Sequence, residues 1–129
     1  MNTVKIDKKN CRMIAHRGVS GLEKENTCAA FVAAGVKTYY GIETDVHVTA
    51  DGEYFIFHDD NMKRIAGVDM DIERSTAEQL RAVRMPDTDG KTFRSDLVVP
   101  ALKDYISICG KYDKTAVLEL KNPMERKHV

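Results

Sequence analysis

The sequence predicts an α/β fold, a layered sheet or a barrel, on three observations. Short apolar runs at residues 13–16, 42–48, 54–58 and 115–120 read as strands, and helix-like stretches separate several of them. The strand-like runs end in, or carry, charged residues and histidines. With 129 residues, 43% of them apolar, the chain can bury a core of its own.

Taken in order, residues 13–16 form a short buried strand ended by Gly18 and the Ser20-Gly21 turn signal. Asn26 or Thr27 caps a helix over residues 28–36 by accepting its free backbone N–H groups; Gly35 or Gly41 stops it. Residues 42–48 alternate: Ile42, Thr44, Val46 and Val48 share one face, Glu43, Asp45 and His47 the other. Thr49-Ala50-Asp51-Gly52 is a turn, with Asp-Gly its strongest element. It is far shorter than the dozen or so residues of a parallel crossover, so residues 42–48 and 54–58 pair as an antiparallel hairpin. That register returns His58 to the neighbourhood of Asp45.

Residues 60–71 read as loop. Ser75-Thr76-Ala77-Glu78 resembles a capping box and opens a helix through Val83. Pro86, Gly90 and several Asp and Thr residues make 85–96 a loop or small ribbon. A further helix over 100–109 turns Leu102, Tyr105, Ile106 and Ile108 or Cys109 inward and ends at Gly110. Residues 115–120 are a strand, and the remainder is polar after Pro123.

Acidic and basic residues balance at 20 each, and the pI near 6.9 is far from the values above about 9 of a nucleic-acid binder. Three cysteines without a Cys-x-x-Cys pair argue against a disulfide framework and a thiolate zinc site; they read as core filler. Residues 1–9 are polar and form no secretory leader, and no apolar run approaches the ~18 residues of a membrane span. A soluble cytoplasmic protein is the expectation.

Glu43 and Asp45, two apart on a strand, project from one face roughly 6.6 Å apart. A lone Glu-x-Asp is commonly a solvated strand face. Here Ile42, Val46 and Val48 already supply the outer packing, so the acidic pair points into a barrel or cleft. Glu119 and Lys121 repeat the geometry on the later strand. Three carboxylates make an all-oxygen set, suited to Mg²⁺ or Ca²⁺ rather than Zn²⁺. His16 and His58, at strand ends and titrating near neutrality, are the acid and base candidates. Arg17 offers a planar fork for phosphate oxygens, and Lys121 a point charge. Asp59 or Asp60 orients His58 or begins the next loop. His47 lies on the acidic face beyond Asp45, and His128 sits in the tail as a silent residue. Together these form the inventory of a metal-assisted phosphodiester hydrolase.

The ordered set His16-Arg17-Gly18, Glu25-Asn26-Thr27 with Ala30-Phe31, Glu43-Thr44-Asp45-Val46, Thr49-Ala50-Asp51-Gly52, His58-Asp59 and Glu119-Leu120-Lys121 resembles the glycerophosphodiester phosphodiesterase family. The resemblance runs from about residue 12 to residue 122. It implies a TIM barrel of the phospholipase-C-like type and hydrolysis of glycerophosphodiesters to glycerol 3-phosphate and an alcohol. It also implies His16 and His58 as acid/base pair, Glu43, Asp45 and Glu119 as ligands of Mg²⁺ or Ca²⁺, and Arg17 and Lys121 as phosphate contacts. Residues 60–99 correspond to a small inserted subdomain over the site. Lys24 stands where family members commonly have proline, which affects loop stiffness.

A closed barrel typically takes about 250 residues. Residues 1–129 therefore make one domain equal to the N-terminal half of such a barrel, with an open sheet edge that favours homo-oligomers. The alternative is a half-barrel that keeps the motifs without turnover and serves as a binding or interaction module.

Overall fold

The computed structural model describes residues 7–129; the polar opening stretch lies outside the described residues as far as residue 6. The central strand is β2 (Gly41–Val48), and the sheet is built around it. β1 (Ile14–Ala15) pairs with it in parallel on one side, Ile14 opposite Gly41. On the other, β6 (Thr115–Leu120) pairs in parallel along six residues, from Gly41–Thr115 to Val46–Leu120. The expected hairpin is present: β3 (Tyr54–Ile56) runs antiparallel to the end of β2, with Val46 opposite Ile56. One step further, the Phe57 N–H donates to the Asp45 carbonyl at 3.0 Å, which delivers His58 to the Asp45 neighbourhood.

Two helices cover the outer face. α1 (Cys28–Gly35) is capped by Thr27, whose side chain accepts from the Ala30 N–H. α4 (Leu102–Lys111) crosses beside it. Phe31 and Ala34 from α1, Tyr105 and Cys109 from α4, and Ile42 and Val46 from β2 form one apolar cluster. Its centre is Tyr105: the buried hydroxyl donates to the Ile42 carbonyl at 2.6 Å and accepts from the Val117 N–H at 3.0 Å. The helix layer is thereby bonded to both central parallel strands. Ile106, expected inward, is exposed, and Gly110 lies inside α4, which runs on to Lys111. The stop comes with Tyr112 as cap and Asp113 in the left-handed region at φ 53°. Of the cysteines, Cys109 is buried but Cys11 is exposed, so the latter fills no core.

The stretch 60–99 packs onto Phe55 and Phe57 of the hairpin in a second apolar cluster, which includes Met62, Ile65, Ile72, Leu80, Met85 and Leu97. Residues 60–71 are not plain loop. They contain a one-turn helix α2 (Lys63–Ala66), ended by Gly67 at φ 73°, and lead into the 3₁₀ turn Ile72–Arg74. α3 (Ala77–Ala82) opens with a capping box one residue later than expected, between Thr76 and Gln79. Ser75 instead donates its hydroxyl to the Asp71 carbonyl, and Asp51 from the hairpin turn accepts the Ala77 N–H. β4 (Arg84–Pro86) and β5 (Phe93–Val98) make the small antiparallel ribbon. Among the described residues no helix is long and apolar enough to cross a membrane.

Candidate active site

The three parallel strands bring their C-terminal ends to one side. β1 ends just before His16, β2 carries Glu43 and Asp45 toward its end, and β6 carries Glu119. In the parallel register Asp45 stands directly opposite Glu119. One carboxylate oxygen from each of Glu43, Asp45 and Glu119 lies within 4.8 Å of the others. Asp45 is almost wholly enclosed, whereas the Glu119 side chain is 58% exposed on the open flank of β6.

Such a cluster repels itself. At no more than 4.8 Å, Glu43 and Asp45 when both ionised oppose each other by about 3 kcal/mol or more in an effective dielectric near 20. Burial pushes the Glu43 carboxyl above its usual range; the Arg17 backbone N–H at 2.9 Å partly offsets this, and the Asp45 charge adds to the rise. Lys121 donates to Glu119 at 3.0 Å, holding that carboxyl below its usual range, and stands 3.8 Å from Asp45 Oδ1. Arg17 Nε lies 3.6 Å from Asp45 Oδ2. Both expected phosphate contacts thus lean on the acidic cluster.

Backbone geometry sets the Arg17 side of the site. Arg17 and Asn26 both have positive φ, 56° and 53°, and Gly18 follows at 75°. A Cβ on Gly18 would lie 2.7 Å from the Ala30 backbone, so the loop after β1 packs on α1 with no side chain between them. Asn26 does not cap the helix. Buried, it donates from Nδ2 to Asp45 Oδ2 at 2.8 Å and accepts from the Thr44 hydroxyl at 2.8 Å. It positions Asp45 by holding one oxygen. The other, Oδ1, is buried and lacks any hydrogen-bond donor.

His16 borders the cluster at Glu43, and the His58 charge joins Lys121 in holding the Glu119 carboxyl down. His16 Nε2 is 3.9 Å from Glu43 Oε2, and its side chain is largely exposed. His58 Nδ1 is 2.7 Å from Asp59 Oδ1, the partner anticipated as one of two. Asp59 is in turn gripped by Arg64 at 2.7 Å, which together with His58 draws its carboxyl down to about 2. Arg64 continues to Glu25 at 2.9 Å, and Glu25 accepts from Arg17 at 3.1 Å. A chain of charges, His58–Asp59–Arg64–Glu25–Arg17, therefore ties the two histidine-bearing loops together. Asn26 and Arg64 are the participants that sequence reasoning missed in these roles. Within Glu25-Asn26-Thr27 the choice of cap was the available signal for Asn26; Arg64 sits in a segment that read as loop.

Three carboxylates on two neighbouring strands, an all-oxygen donor set with one oxygen buried without a donor, fit a hard divalent cation. The arrangement at the C-terminal ends of parallel strands under a helix layer defines the class: an α/β barrel segment, its polar site where such barrels place theirs. The sequence pattern of the glycerophosphoryl diester phosphodiesterase family matches residues 16–129, and the chain belongs to that family.

Relatives and solved structures agree. A glycerophosphodiester phosphodiesterase of Caldanaerobacter subterraneus is 31% identical over 110 residues, covering 85% of this chain and 45% of that protein. The phosphodiesterase of Oleispira antarctica, solved in complex with its product sn-glycerol-3-phosphate, superposes with a TM-score of 0.75 at 30% identity over 86% of this chain and 44% of its own. The Thermotoga maritima glycerophosphodiester phosphodiesterase gives 0.71 at 30% identity, over 88% and 45%. The fold is thus part of a TIM barrel, and the chain spans about half the length of the curated relatives it matches.

Proposed function

We propose that this chain carries the metal and acid/base half of a site that hydrolyses glycerophosphodiesters to glycerol 3-phosphate and an alcohol. The observation that carries the reading is the convergence of Glu43, Asp45 and Glu119 within 4.8 Å, flanked by His16 and His58. The three carboxylates would hold Mg²⁺ or Ca²⁺, which when bound polarises a non-bridging phosphoryl oxygen. Arg17 and Lys121, already at the rim of the cluster, supply positive charge for the phosphate oxygens. One histidine takes the proton of the attacking hydroxyl: attack by water gives glycerol 3-phosphate directly, whereas attack by the neighbouring glycerol hydroxyl gives a cyclic phosphate that a water then opens. The new P–O bond forms as the bond to the alcohol breaks, and the other histidine returns a proton to the departing oxygen. His58 is the better oriented of the two, because Asp59 fixes its Nδ1 and leaves Nε2 to the substrate.

On this reading the substrates derive from glycerophospholipids, and residues 60–99 act as an inserted cover over the site. The free thiols of Cys11, Cys28 and Cys109 support a reducing, cytoplasmic setting. Every residue of β6 is exposed, with Val117, Leu118 and Leu120 among the large apolar side chains in solvent. On this exposed apolar flank we propose that a second copy packs; light scattering that finds a stable monomer contradicts it.

The test of function is release of glycerol 3-phosphate from glycerophosphocholine or glycerophosphoethanolamine by the purified chain. Release that requires Mg²⁺ or Ca²⁺ and disappears in His16→Ala supports the reading. A folded protein that binds no divalent ion and releases nothing supports the inactive binding module.

A further inference from the structure

We infer a second divalent-cation site, formed by His47, Asp60 and Glu73, beside the carboxylate cluster and separate from it. One ring nitrogen of His47 and one carboxylate oxygen from each acid lie within 4.8 Å of one another. Exposed acidic pairs are common; the histidine sets this one apart. His47 is completely buried, and its Nδ1 has no hydrogen-bond partner. An orphaned buried nitrogen is destabilising unless something claims it.

The other nitrogen explains the tautomer. Nε2 stands 3.4 Å from the His58 carbonyl, an acceptor, so the ring proton belongs on Nε2 and the Nδ1 lone pair is free. Metal-ligating histidines are held in this way, one nitrogen on the ion and the other donating to a backbone carbonyl. One nitrogen and two carboxylates form a mixed donor set, suited to Zn²⁺ or Mn²⁺ rather than to the hard ions of the all-oxygen cluster. Donors this near one another need only small side-chain rotations to reach the roughly 2.0–2.2 Å of zinc–nitrogen and zinc–oxygen bonds. Asp60 and Glu73 border a cavity of about 240 Å³, so water has room to complete the coordination.

The three ligands come from β2, from the loop after His58 and from the 3₁₀ turn Ile72–Arg74. An ion bound there pins residues 60–74 to the central strand, two positions from His58. Its effect is to position that loop. The inference does not rest on the proposed reaction.

The probe is Co²⁺, a spectroscopically visible stand-in for Zn²⁺, titrated into the whole chain and followed by visible absorption and calorimetry. Wild type is expected to take up an ion with a histidine-ligated spectrum in addition to any ion at the carboxylate cluster. Glu73→Gln, an exposed change that leaves the buried ring in place, should weaken that uptake at least about tenfold, the scale on which even outer partners of metal ligands act. Glu119→Gln should leave it intact, which separates failure of this site from failure of the other. A Co²⁺ spectrum without a histidine ligand, or one unchanged in Glu73→Gln, overturns the inference.

Discussion

Asp45 on β2 and Glu119 on β6 are direct neighbours in a parallel register, although 74 residues separate them in sequence. Asp45 is enclosed and Glu119 open, so the pair joins the interior of the sheet to its free flank. The enclosed member is held by Asn26. Replacing Asn26 with Ala removes the donor to Asp45 and the acceptor for Thr44 at once. We expect a loss of about 2–4 kcal/mol, from two buried groups at about 1–3 kcal/mol each less some relaxation, read from urea unfolding.

Tyr105→Phe should cost about 1–3 kcal/mol, because the buried hydroxyl serves the Ile42 carbonyl and the Val117 N–H together. The change is local, so hydrogen exchange should speed up at the Val117 amide more than at the amides of α1. Unchanged exchange at Val117 would mean that the hydroxyl does not hold β6 to β2.

Gly18→Ala places a Cβ at φ 75° and 2.7 Å from Ala30. The left-handed backbone alone costs about 1–3 kcal/mol for a residue with a side chain, and the overlap adds to it. The thermal midpoint should fall by several degrees, at roughly 4 °C per kcal/mol for a chain between the small-domain and large-domain ranges. Gly21→Ala, with open space around its Cβ position, is the control.

Asp59 gives a pH prediction. Its folded carboxyl titrates near 2, drawn below the ordinary 3.8 chiefly by its Arg64 hydrogen bonds. A depressed carboxylate contributes stability that is complete above the unfolded value and is lost as pH falls through the folded one. Wild-type stability should therefore decline between about pH 4 and pH 2, and Asp59→Asn should flatten that limb in urea midpoints measured across the range.

The sheet was legible where one side-chain period dominates. In β2, strict alternation separates Ile42 and Val46, which pack under the helices, from Glu43 and Asp45. The short Thr49–Gly52 turn forces the hairpin and hence the return of His58. Other features depend on tertiary context that no period encodes. Asn26 and Thr27 are equally good caps by chemistry; a positive φ at Asn26 turns one of them to Asp45 instead. α2 spans a single turn, too short to display a helical repeat, and is held by Ile65 in the second cluster. The capping box slipped by one residue because Ser75 found the Asp71 carbonyl first. Ile106 faces outward because Tyr105 and Cys109, four apart, take the inward stripe of α4.

The most direct test of the account is calorimetric titration of Mg²⁺ and Ca²⁺ into wild type and Glu119→Gln, with melting curves at matched ion concentrations. The account predicts that wild type binds and, at a hundredfold excess over Kd, gains about 2.7 kcal/mol of stability. Glu119→Gln should lose at least about tenfold in affinity. A folded wild type that binds neither ion, or a variant that binds as tightly as wild type, contradicts a cation held jointly by the two strands.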